Sequence, residues 1–328
     1  MLEDRTLKEM LENPAIAEIA PDAISKWDLS KEDFYHWTLG EIAEKMGWRT
    51  LGLGFERLLR AAGQGEYCFR LYKKEECEGA PQKENASVVW FPSDDPAADG
   101  RPFIFLVPGG GFVNVWNLTE GWPVARQYNE LGYHVFILTY QVGTEGAAVR
   151  AMEDFARAMA VIAARRETFR VDPARYITCG FSAGGYLVCL WNTEKGYRAF
   201  GLNKPQACFP VYPVTSYRLM AAGDWDDEAE KDAFARGSAG CTMKEACESC
   251  FEIPEHVEGF PPTALFLAAG DGLVPPAHSE MLADALKKAG IPCRLEIGPE
   301  GGHGFADGTG MCMEGWTERA IRWYEGIG

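Results

Sequence analysis

The sequence predicts an α/β fold: a mostly parallel sheet of eight strands with helices on both faces, a helical N-terminal extension and an inserted cap. Two observations carry this. From about residue 66 onward, short apolar runs rich in β-branched and aromatic residues alternate with runs of helical periodicity, the texture of a sheet buried on both faces. The chain has 328 residues, 47% hydrophobic and 24% charged, a globular composition with room for one large domain and additions.

Taken in order, residues 1–65 read as helices. Ser30 before Lys-Glu-Asp and Thr38 with Glu41 three positions on are capping-box starts, and Leu51, Phe55, Leu58 and Leu59 recur at helical spacing. The segment carries no catalytic pattern. Packing on the main domain is its simplest use, ahead of dimerisation or a share in a substrate mouth. Residues 66–328 then form the main domain. Its strands are expected at Tyr67–Tyr72, Ser87–Phe91, Phe103–Val107, His134–Thr139, Tyr176–Cys179, Ala207–Val211, Ala264–Ala268 and Cys293–Ile297. Between the fourth and fifth, Met152, Phe155, Ala156, Met159, Ile162 and Ala163 make one apolar helical stripe. Further helical patterns follow Ser182, Pro276 and Glu314. Residues 216–258 are too long for a simple connection and read as a cap, containing the acidic stretch Asp224–Asp232.

Acidic residues outnumber basic ones by 48 to 32, a net charge of −16, which repels nucleic acid, anionic membranes and polyphosphates. The expected partner is a small molecule, with no nucleic acid and no membrane; a homo-oligomer is left open. The longest apolar runs, such as Phe103–Val107 and Ala264–Ala269, fall far short of the roughly 20 residues of a membrane helix. The charged N-terminus lacks the apolar core of a secretory signal, so a cytoplasmic location is expected. The ten cysteines read as reduced thiols. Cys241, Cys247 and Cys250 include one C-x2-C pair, but no second pair follows and His256 is the only nearby histidine, so neither a metal nor a cofactor is expected.

The strand Tyr176–Cys179 runs into Gly180-Phe181-Ser182-Ala183-Gly184-Gly185 and then an apolar helical run. This is G-x-S-x-G in the strand-to-helix setting that holds a serine hydroxyl clear of the backbone. The five residues alone would equally fit a glycine-rich turn or a phosphate-binding loop. The strand Phe103–Val107 ends in Pro108-Gly109-Gly110-Gly111-Phe112. Backbone N–H groups without side chains suit the negative oxygen formed when serine attacks an ester, so Gly110 and Gly111, with the amide of Ala183, form a candidate oxyanion hole.

A serine nucleophile needs a base, and there are five histidines. His134 lies in a predicted strand, His36 in the extension, His256 in the cap and His278 in a helix. His303, in Glu300-Gly-Gly-His-Gly-Phe after the last strand, is free to reach the serine. Asp271, in Gly270-Asp-Gly-Leu-Val-Pro-Pro at the end of the strand Ala264–Ala268, is the candidate partner for the histidine; Tyr212-Pro-Val-Thr-Ser after the sixth strand offers no carboxylate, and Glu300 and Asp307 flank the histidine too closely.

With GGG after the third strand, VDPARYITCGFSAGG, GDGLVPPAHSEMLADALKKAGIP and PEGGHGF, residues 66–326 resemble the α/β-hydrolase serine esterases, near the acetyl esterase, feruloyl esterase and hormone-sensitive-lipase-like groups. The resemblance implies the α/β-hydrolase fold, Ser182 as nucleophile, His303 as base and then acid, Asp271 as its orienting partner, and an acyl-enzyme intermediate formed from a short-chain ester, such as an acetylated carbohydrate derivative or a small aryl ester. Two departures stand out: Pro108 replaces a histidine common before the glycines, and Phe181 precedes the serine where the lipase-like group has aspartate. Phe112, Trp116 and Trp122, with Trp225 in the cap, are candidate substrate-binding aromatics. The alternatives are an amidase or peptidase of the same fold, prolyl-oligopeptidase-like or formamidase-like, and a binding protein that retains an inactive triad.

Overall fold

A computed structural model describes residues 2–143 and 145–327. Eight strands form one sheet in the order β1-β2-β4-β3-β5-β6-β7-β8, with β1 Cys68–Arg70, β2 Ser87–Phe91, β3 Phe103–Val107, β4 Val135–Thr139, β5 Tyr176–Phe181, β6 Ala207–Val211, β7 Thr263–Ala268 and β8 Cys293–Gly298. β2 runs antiparallel to β1 and β4, and all other neighbours are parallel. The predicted strands are all present. β1 is shorter than its apolar run, although Trp90 N–H to Tyr67 carbonyl (2.7 Å) and Leu71 N–H to Ala86 carbonyl (3.0 Å) extend its pairing.

β3 shows why its run is unbroken: Phe103, Phe105 and Val107 enter the core on one face, Ile104 and Leu106 the core on the other. The first face is covered by the helix Ala147–Ala164 and by the segment between β6 and β7, whose helix Glu228–Ala239 packs on that helix and whose Arg236 carbonyl accepts Gly146 N–H at 2.8 Å. The second face carries the helices Trp122–Glu130 and Trp316–Gly326 together with the N-terminal residues. Leu7, Ile16, Ile24, Leu39, Phe55 and Leu58 are buried in the same apolar cluster as Ile104 and Leu106, so the extension shares the core of that face.

Thr38 and Glu41 form a reciprocal capping box for Leu39–Met46. Ser30 starts no α-helix: its hydroxyl donates to Asp28 (2.6 Å), and the chain makes two separate 3-10 turns, Leu29–Lys31 and Asp33–His36. Register aligns the carboxyl ends of the strands, with Val107 beside Gly180, Phe181 beside Val211, Val211 beside Phe266, and Ala268 beside Gly298. The loops after β3, β5, β6, β7 and β8 therefore converge on one edge, where α/β sheets place their sites.

Candidate active site

β5 leads into Ser182, which has φ +51° and ψ −117°, and the helix Ala183–Leu190 starts at the next residue. A non-glycine residue at positive φ is strained. The surroundings hold it there: Ser182 N–H donates to the Val211 carbonyl (3.0 Å), and a Cβ on Gly184 would collide with the carbonyls of Val107 and Pro108. A residue larger than glycine at 184 would push the elbow away from the β3 loop.

The three residues picked for nucleophilic chemistry meet. His303 Nε2 lies 2.9 Å from Ser182 Oγ, and His303 Nδ1 lies 2.7 Å from Asp271 Oδ2. The Asp271 side chain is fully buried. Its other oxygen, Oδ1, accepts the N–H groups of Leu273 (3.0 Å) and Val274 (2.8 Å), so the turn that carries the carboxylate also fixes its rotation. A hydrogen on Nδ1 facing Asp271 leaves Nε2 with a lone pair toward the serine hydroxyl. Asp307 faces Gln127 and Thr309 instead. The other histidines have other partners: His134 lies between Ser93 N–H and Asp99, His256 pairs with Glu194, His36 packs on Tyr35, and His278 Nδ1 accepts Thr215 and Ser216 N–H.

Among the described residues, the amides of Gly110, Gly111 and Ala183 find no acceptor. The Gly109 amide is occupied, donating to Glu120 Oε2 at 2.6 Å. Gly110 has φ +131°, and a Cβ there would run into the Asn114 carbonyl.

The aromatic residues separate. Phe112 is buried edge-on to Tyr186 and borders a cavity of about 420 Å³ shared with Gly111, Val113, Phe234 and Arg236. Trp225 borders a second one of about 470 Å³ with Leu273 and His278. Trp116 turns toward the extension, edge-on to Trp27 (5.6 Å) and Trp48 (6.0 Å). Trp122 is a correction: its ring is buried against Phe55 in the core and presents no face to a ligand.

Sequence reasoning missed Glu120 and Tyr212. Glu120 is buried, and burial raises its carboxyl pKa while the Gly109 N–H and the Tyr212 hydroxyl draw it back down. Tyr212 donates to Glu120 Oε1 (2.9 Å), accepts Ala306 N–H (3.2 Å) and lays its ring beside His303, 4.7 Å between centroids. The only sequence signal was position, since Tyr212 follows β6 where a catalytic acid was sought and not found.

A family model described as alpha/beta hydrolase fold matches residues 104–307. Among curated proteins, the chain is similar to an acetylxylan esterase of Xylanibacter ruminicola, 27% identical over 231 residues that make 68% of this chain and 44% of that protein. It is also similar to endo-1,4-beta-xylanase B of Butyrivibrio fibrisolvens, 24% identical over 66% of this chain and 34% of that protein. The chain spans less than half the length of these two relatives. Of solved structures, an acetyl ester-xyloside bifunctional hydrolase from Caldicellulosiruptor lactoaceticus superposes with TM-score 0.63 at 24% identity, over 79% of this chain and 96% of that one. A thermophilic esterase from the Planctomycetes species Thermogutta terrifontis superposes with TM-score 0.59 at 23% identity, over 75% and 89%. These likenesses extend the shared fold beyond the matched family segment. From the sheet, the elbow on β5 and the family match together, the chain belongs to the alpha/beta hydrolase fold family.

Proposed function

We propose that the protein is a serine carboxylic ester hydrolase acting on short acyl esters, acetylated sugars foremost. The observation that carries this is the hydrogen-bonded line from Asp271 through His303 to Ser182, beside three amides that find no acceptor among the described residues. In this reading His303 Nε2 takes the hydroxyl proton as Ser182 Oγ attacks the ester carbonyl. The carbonyl oxygen becomes an oxyanion, which accepts from Gly110, Gly111 and Ala183, and Asp271 stabilises the imidazolium. His303 then protonates the departing alcohol, leaving an acyl-Ser182. Water attacks that ester with its proton passing to His303, and collapse returns the proton to Ser182 and releases the acid. The preference for acetylated sugars draws on the printed names of two relatives, an acetylxylan esterase and an acetyl ester-xyloside hydrolase.

Purified protein should hydrolyse p-nitrophenyl acetate and acetylated xylose, and Ser182→Ala and His303→Ala should each lower kcat by about 10³-fold or more, as removal of members of such triads does. Turnover by Ser182→Ala at the wild-type rate would refute the assignment. Equal rates on acetyl and octanoyl esters would refute the short-chain preference.

A further inference from the structure

We propose that Glu120 is a positioning residue for this reaction: through Gly109 on one side and Tyr212 on the other, it ties the oxyanion loop to the histidine loop. The inference rests on the ester-hydrolase reading and adds a role that the three reacting residues leave unfilled.

The sequence already poses the problem. The residue before the glycines is Pro108, which has no N–H and no polar side chain with which to fasten the loop. The loop nevertheless has to hold its amides toward a carbonyl oxygen with little tolerance, since misplacement on the order of 1 Å can cost about 10²-fold in rate. Glu120 supplies the fastening from eleven residues further along the chain. Its Oε2 accepts Gly109 N–H at 2.6 Å, a short hydrogen bond. Gly109 in turn lies against the nucleophile, because a Cβ there would sit 2.7 Å from the Phe181 carbonyl and 2.9 Å from Ser182 Cβ. The carboxylate therefore fixes a point at which the oxyanion loop touches the elbow.

The second oxygen reaches the other half of the site. Oε1 accepts the Tyr212 hydroxyl at 2.9 Å, and that hydroxyl accepts Ala306 N–H at 3.2 Å, three residues beyond His303. Tyr212 is held at φ +37° just after β6, an unfavourable backbone for a tyrosine, and its ring lies tilted beside the His303 imidazole. The result is a continuous line, Gly109 to Glu120 to Tyr212 to Ala306, beneath the reacting atoms. A buried carboxylate is costly unless its lone pairs are used, and here both oxygens are used on the two loops that must stay in register. Glu120 touches neither substrate nor reacting atoms; it acts through the groups it holds.

The test uses the full chain with Glu120→Gln, Glu120→Ala, Tyr212→Phe and the Glu120→Ala/Tyr212→Phe double variant. Three quantities are read: kcat and KM on p-nitrophenyl acetate, inhibition by a trifluoromethyl ketone whose adduct on Ser182 mimics the oxyanion, and the melting transition. Glu120→Ala should lower kcat on the order of 10- to 100-fold, less than the 10²–10³ expected for losing an oxyanion donor outright, with KM within about threefold. Ketone affinity should fall in step with kcat, and Glu120→Gln should recover part of both, because its amide oxygen can still accept Gly109 N–H. Tyr212→Phe keeps the carboxylate and should fall in the same direction, and the double variant should lose less than the product of the single losses. Folded variants with wild-type kcat and ketone affinity would overturn the role, as would a Tyr212→Phe indistinguishable from wild type if Glu120→Ala does not fold. A folded wild type that turns over no ester and is unlabelled at Ser182 by a fluorophosphonate would overturn the ester-hydrolase reading itself, and this role with it.

Discussion

Asp271 commits one carboxylate oxygen to the Leu273 and Val274 amides and the other to His303, and that division decides what a single-atom change does. In Asp271→Asn the amide oxygen stays with the two N–H groups, which leaves NH2 facing His303 Nδ1. The ring must then carry its hydrogen on Nε2, pointing at Ser182, where it can no longer accept the hydroxyl proton. A loss of about 10³- to 10⁴-fold in kcat is expected, with melting temperature near wild type, as the same exchange produces in a protease triad. Activity within tenfold of wild type would mean that Asp271 does not set the tautomer. Ser182, His303 and Asp271 were legible in the sequence because each follows a strand in a glycine-rich setting. Glu120 was not, because nothing local in Asn-Leu-Thr-Glu-Gly announces that its carboxyl group will be buried and bonded to Gly109, eleven residues back.

Strands buried on both faces show as unbroken apolar runs, so the sheet could be read directly. Packing of the extension on the main domain was the simplest expectation, but its place of docking could not be read, because the joint is made of backbone and side-chain hydrogen bonds and ring edges between distant segments. Ser25 N–H donates to the Val115 carbonyl (3.1 Å) and Leu118 N–H to the Ala23 carbonyl (2.7 Å). Asn117 Nδ2 donates to the Asp22 carbonyl (2.7 Å), and Val115 N–H donates to Ser25 Oγ (2.9 Å). These bonds clamp residues 115–118, midway between the glycines after β3 and Glu120. Of the aromatic residues placed after the glycines and assigned to substrate, Trp122 packs in the core instead, and Trp116 sets its ring edge-on to Trp27 and Trp48 of the extension. Ser25→Ala leaves the buried Val115 N–H without an acceptor and should cost about 1–3 kcal/mol in urea unfolding. Because the clamped segment carries the oxyanion loop, kcat should fall as well. An unchanged urea midpoint would show that the serine does not hold this joint.

Over the whole molecule, two buried groups bend stability with pH in opposite directions. His278 binds two backbone N–H groups with its Nδ1 and so must be neutral in the fold; burial lowers its pKa from 6.5 to about 4. The unfolded chain therefore takes up a proton between those values that the folded chain refuses, and this stability is complete above pH 6.5 and lost as pH falls toward 4. Asp22 joins the extension to β1 through Arg70 Nη1 at 2.8 Å, yet burial outweighs the arginine and raises its carboxyl from 3.8 to about 6. Here the fold favours the protonated form, so the contribution is complete below pH 3.8 and is lost as pH rises through 6. Each shift corresponds to about 3 kcal/mol at most, and because the windows overlap, the two slopes oppose each other in the wild type between pH 4 and 6. Single substitutions should separate them. His278→Asn keeps an acceptor but not the titration, so the wild-type advantage over it should shrink as the buffer goes from pH 7 to 4. Asp22→Asn should gain on the wild type from pH 4 to 7, the charge of Arg70 being constant throughout. Unfolding midpoints for the three proteins across that range decide the matter, since parallel curves would mean that neither group changes protonation on folding, whereas the two expected divergences together would show the buried aspartate offsetting the acid loss that the buried histidine causes.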